Sequence, residues 1–259
     1  MREKTITRTA KTEVGRAILQ KPFFMAVLGF VVVFLCISFA PFVKTLREGA
    51  NIAYGAHLSE LINRLEEDAI LMFLPVLSAV PYTVSFVDDV KTGFIKPYMI
   101  RAEKKSYIYG KILACLLSGG LAMAIGVILS FLCTALLYAP MELPPQEGEQ
   151  LAPLFAQLLQ KLLLFFCAGS FWAMTGMLFS AWTNSRYMAY AAPFIFYYVL
   201  IILCERYFAN MKILYPKEWL VPSVGWPLGN IGVIIFLCCF TAWMILLFIS
   251  VARRRIADV

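Results

Sequence analysis

Six times along this 259-residue chain, Asp, Glu, Lys, Arg and His all disappear for 18 residues or more. The uncharged stretches run over 22–43, 69–87, 112–141, 162–185, 187–204 and 219–252. A helix needs about 20 apolar residues to cross the hydrocarbon core of a bilayer. A membrane β-strand would instead show alternating segments of about ten residues. The pattern therefore predicts an all-α polytopic membrane protein. Composition agrees, with 61% apolar and 15% charged residues, against roughly 45–50% and 25% in soluble domains. A soluble enzyme and a disordered chain are both excluded on this balance. The last stretch is too long for one straight helix and carries Pro222, Gly225, Pro227 and Gly229 early on, so its helix is expected only from about Asn230.

The expected layout is a single transmembrane domain over 1–259 with six spans. They are placed at 22–43, 69–87, 112–138, 162–185, 187–206 and 230–252. An interfacial helix occupies 1–21, a cytoplasmic loop 88–111 and an outer re-entrant segment 207–229. Ile6, Ala10, Val14, Ala17 and Ile18 share one face of the first segment, opposite Lys4, Arg8 and Lys11, which suits a helix lying in the interface. Glu13 falls on the apolar side and runs against that pattern. The first apolar run is too long for a signal peptide. Sixteen of the 23 lysines and arginines fall before the first span, in 88–111, at Arg186 or in the tail. The positive-inside rule then puts both termini in the cytoplasm. The net charge of +7 is accounted for by an anionic lipid leaflet, with no nucleic-acid partner.

Other features read as structural. The seven cysteines all lie in apolar stretches and are expected as small packing residues rather than a disulfide framework. His57, the one histidine, lies in an outer loop with Leu58, Leu61, Ile62 and Leu65 at helical spacing, and is expected to be plain surface. Glu142 to Gln150 is expected to be a solvated turn. Ala114, Ser118, Ala122, Gly126, Ser130 and Thr134 recur every four residues, and the next span carries Gly169, Ala173, Gly176 and Ser180. Small faces of this kind allow close helix packing. No charge inside the stretches means no obvious proton or ion relay at depth. One histidine gives neither an HExxH pair nor a serine–histidine set within a span. No P-loop is present, so the chain is not expected to be an enzyme or to bind a cofactor or metal.

The stretch 88–111, DDVKTGFIKPYMIRAEKKSYIYGK, mixes apolar residues with lysines, as a segment docking on a cytoplasmic partner would. Here the chain resembles the type-2 ABC transporter permease family, the exporter-type membrane subunits of bacteria. The resemblance rests on the basic segment ending Gln20-Lys21-Pro22, on the acidic exit Asp88-Asp89, and on Thr92-Gly93-Phe94-Ile95, Arg101, Tyr107 and Gly110-Lys111. The Pro/Trp/Gly-rich stretch from Tyr215 to Asn230 adds to it. It implies a plasma-membrane permease coupled to a separate cytoplasmic ABC ATPase, which would bind the ATP. A second permease copy or paralogue would complete the dimer. Phe94 and Ile95 would be apolar anchors in the ATPase groove, Gly93 would allow the turn, and Asp88, Asp89 and Arg101 would fix the loop. Two other readings stay open: a six-helix substrate-capture subunit of a vitamin importer, and a non-transporting membrane scaffold.

Overall fold

A computed structural model describes residues 2–48, 52–97, 103–145, 151–208, 212–222, 226 and 228–257. Residues 95–97 are helical, and nine α-helices with complete bounds are found among the described residues. They are α1 (Arg2–Leu19), α2 (Lys21–Glu48), α3 (Ala56–Leu65), α4 (Asp68–Ala79), α5 (Ser85–Lys91), α6 (Lys104–Tyr138), α7 (Ala152–Thr183), α8 (Arg186–Arg206) and α9 (Gly229–Ala257). No strand forms among the described residues.

Five helical segments are long and apolar enough to cross a membrane: Lys21–Arg47, Lys104–Met141, Ala152–Thr183, Arg186–Arg206 and Gly229–Ala257. The 21 residues of α8 rise about 31 Å, close to the hydrocarbon thickness. Tyr187 and Tyr207, at its two ends, are both exposed, as interfacial tyrosines are. The helices are also apolar on their outer faces. In α2, Phe23, Val27, Phe30 and Phe34 are buried, whereas Phe24, Met25, Leu28 and Val32 are exposed, Met25 to 65%. Such a surface fits lipid rather than water.

The expected span 69–87 is the departure. It forms two short helices, α4 and α5, with a turn over 80–84. Pro81 has no N–H to continue the helix. The polar groups freed by the break find side-chain partners: Thr83 Oγ1 donates to the Ala79 carbonyl, and Ser180 Oγ donates to the Thr83 carbonyl at 3.3 Å. That is what a broken helix inside an apolar bundle requires.

Helix α7 is the most buried of the five long helices and forms the centre. Its small residues meet those of α6. A Cβ added to Gly119 would come within 2.4 Å of Ala173 Cβ and 2.9 Å of the Gly169 carbonyl oxygen. The small-residue stripe is therefore packing within the chain. All seven cysteines are unbridged. In the segment before α9, Trp219 is fully buried against Phe171 and Trp172, with ring centroids 5.3 and 5.7 Å apart.

Side-chain contacts sort into two ends. At one, Lys161 Nζ reaches Glu66 (2.7 Å) and the Leu220 carbonyl (2.6 Å), and Lys217 reaches Asp68 (2.8 Å). Glu142 lies at this end too. It accepts from the backbone N–H groups of Gly55 (3.1 Å) and His57 (2.7 Å) and from His57 Nδ1 (2.7 Å). A carboxylate only accepts, so Nδ1 carries the hydrogen. His57 is thus a folded-in clasp between α3 and the end of α6, not the plain surface its loop position suggests. Glu142 is likewise a helix N-terminal ligand rather than part of a solvated turn. Burial would raise the Glu142 carboxyl. The His57 backbone and ring and the Gly55 N–H outweigh burial and hold it below the ordinary glutamate range.

Candidate functional site

The opposite end holds a charged cluster that the uncharged spans do not announce. Lys111, two turns into α6, is fully buried (0% exposed), and Glu13 and Asp89 are buried beside it. Lys111 Nζ lies 2.7 Å from Asp89 Oδ2 and 3.3 Å from Glu13 Oε2. It also donates to Tyr82 Oη at 3.1 Å. Tyr82 in turn donates to Glu13, and Tyr107 donates to Asp89 Oδ2 at 2.7 Å. The ammonium sits 5.0 and 5.5 Å from the Tyr82 and Tyr107 ring centroids, within cation–π range. Buried charges are tolerated when paired and hydrogen-bonded, and here the cation and both carboxylates are.

The local sequence explains how the helices meet. Tyr107 and Lys111 are four apart on α6 and so share a face. Gly110 lies between them, and a Cβ there would stand 3.4 Å from Thr9 Cγ2 and from Glu13 Cγ. Gly110 thus lies against α1 where α1 crosses α6, next to the point at which Glu13 reaches Lys111. The out-of-place Glu13 of the sequence pattern is the residue that pins α1 to the bundle.

Among the residues expected to form a partner-docking loop, Asp89 is in this cluster. Asp88 pairs instead with Arg186 Nε at the start of α8, in a partly exposed bridge. The Asp88 carbonyl accepts from the backbone N–H and hydroxyl of Thr92 at 2.9 and 2.7 Å. Gly93 follows with φ +72°, the left-handed turn that ends α5. Ile95 is 1% exposed and belongs to this chain's own core, whereas Phe94 is 44% exposed. Arg101 lies outside the described residues. The loop expected over 88–111 is largely helical, since α5 runs to Lys91 and α6 begins at Lys104. Lysines 104, 105 and 111 delay the apolar reading of α6, but Lys111 is neutralised by its partners. Glu13, Tyr82, Tyr107 and Lys111 are the cluster residues to which sequence reasoning gave no site role, although Tyr107 and Lys111 stood in the motif. The misplaced Glu13 and a lysine directly preceding an apolar stretch were the available signals.

A cavity of about 370 Å³ adjoins the cluster, lined among others by Arg16, Gln20, Asp88, Asp89, Lys111 and Arg186. At the same end, Arg255 of α9 donates to the carbonyls of Ala181 (3.2 Å) and Trp182 (2.6 Å), capping the C-terminus of α7. No group of three metal-binding side chains occurs among the described residues. No protein-family model matches this chain, and no curated protein sequence does either.

Proposed function

We propose that this chain is the membrane-spanning permease subunit of an ATP-driven transporter of the type-2 ABC kind, working as an exporter. In this reading the broken α4–α5 unit is the second of six passes, and the end carrying Glu13, Lys111 and Arg186 faces the cytoplasm, with both termini. Hydrolysis belongs to a separate ATPase, and a second permease copy or paralogue completes the dimer.

The observation that carries the reading is the junction of α5 and α1 on Lys111. Asp89 and Glu13 bind the same buried ammonium. A push on the turn after α5 is therefore passed to α6 and to the interfacial helix as one unit. The turn itself, at Gly93 and Phe94, is left on the surface. A partner gripping Phe94 would act on a rigid lever, and differential contacts in two states would supply the coupling free energy. Ile95 anchors the turn from inside, so the docking role falls to Phe94.

The test is co-purification, in mild detergent, with ABC ATPases co-expressed from the same source, followed by hydrolysis in lipid with and without this chain. The reading expects a stable complex whose hydrolysis responds to the permease. A well-folded, inserted chain that forms no such complex discards it.

A further inference from the structure

The cavity beside Lys111 contains hydrogen-bonding capacity that the described residues leave unused. Arg16 makes no hydrogen bond or ion pair with any other described residue. Arg186 engages Asp88 Oδ1 through Nε alone, so its terminal nitrogens and Asp88 Oδ2 are open among the described residues. Lys111 and Asp89 satisfy each other at 2.7 Å and close the back of the cavity. Pro22, Val80, Pro81 and Val84 give the rest of the wall an apolar character. An open guanidinium, an open carboxylate oxygen and an apolar wall thus share one concavity. Its size is within the range that holds small ligands.

We propose that this cavity binds the head group of a phospholipid bearing both a phosphate and a primary ammonium, of the phosphoethanolamine type. The guanidinium fork of Arg16, with the free end of Arg186, matches phosphate oxygens. The ammonium donates to Asp88. A phosphate without an ammonium would face the Asp88 carboxylate unbalanced, and a quaternary ammonium has no N–H to donate. The apolar wall takes the start of the acyl chains. The proposal rests on the bundle lying in a membrane with this end at head-group level, and does not depend on the transporter reading.

The full chain, purified in mild detergent and stripped of lipid, is offered phosphatidylethanolamine, phosphatidylglycerol and phosphatidylcholine separately, and native mass spectrometry reads what stays bound. Phosphatidylethanolamine is expected to be retained roughly tenfold over phosphatidylcholine, the scale of one charge-assisted hydrogen bond. Arg16→Gln, at an exposed position, is expected to weaken retention of phosphatidylethanolamine and phosphatidylcholine alike, since both carry the phosphate, without shifting the melting temperature. Asp88→Asn is expected to turn the preference toward phosphatidylglycerol. Equal retention of the three lipids, a wild-type preference for phosphatidylglycerol, or lipid retention untouched by Arg16→Gln overturns the proposal. Displacement of the lipid by soluble phosphoethanolamine at equal concentration overturns its lipid source. A chain released from vesicles by alkaline carbonate fails the membrane reading itself, whereas an inserted chain without lipid preference fails only the head-group assignment.

Discussion

Lys111 Nζ lies 2.7 Å from Asp89 Oδ2, and both residues are buried. The pair joins α6 to α5, and Glu13 extends the joint to α1. Three helices that are separate in sequence therefore share one buried ammonium.

Removing that ammonium strands two carboxylates. Lys111→Met is expected to lower stability by roughly 3–5 kcal/mol, the cost of breaking a buried pair from one side. Thermal unfolding in detergent reads it. Combining Lys111→Met with Asp89→Asn and Glu13→Gln removes the unpaired charges and is expected to recover much of the loss. Recovery would not occur if the lysine acted only through its packing.

Glu13→Gln has a milder and more local outcome. Lys111 keeps Asp89, so the bundle holds, but α1 loses its charged tie. Limited proteolysis within residues 2–19 is expected to quicken while the bundle's melting temperature falls by much less than in Lys111→Met.

At Gly93 the limit is conformational. Nothing lies within 4 Å of a Cβ there, but φ is +72°. Gly93→Val should cost about 1–3 kcal/mol of local strain and, under the proposed permease function, uncouple transport from hydrolysis while the bundle stays folded. Gly119→Val is the contrasting case. Its Cβ would meet Ala173 and two backbone carbonyls, so the α6–α7 contact must open and overall stability falls.

Much of this fold was legible because bilayer-scale charge exclusion is a strong signal, and α2, α7, α8 and α9 follow it. The break in 69–87 was written in Pro81, but its tolerance depends on Ser180, nearly a hundred residues away. The candidate site was legible in part. Asp88 and Asp89 lie within α5, Asp89 turned inward to Lys111, while Gly93 makes the turn that follows and Phe94 is on the surface. Ile95 faces inward because the turn at Gly93 redirects the chain. The Glu13–Lys111 tie was hidden because it pairs residues on two elements nearly a hundred residues apart. His57 was hidden for a similar reason, since its partner Glu142 is 85 residues away.

Glu142 gives a pH dependence at the other end. Its folded carboxyl is held below the ordinary glutamate range. The stability it contributes is therefore complete above the unfolded value and is lost as pH falls through the folded one. Glu142→Gln is expected to flatten that acid limb of the melting-temperature profile and to leave the neutral-to-alkaline shape unchanged.

The central claim is that the surface turn after α5 transmits a partner's ATP-driven motion. The direct measurement is ATP hydrolysis by the co-purified ATPase in lipid, with wild-type permease and with Phe94→Asp. The account predicts a stable wild-type complex, and in the variant a folded, inserted permease with weakened association and lost permease-dependent change in hydrolysis. Identical association and hydrolysis for the two permeases would contradict it.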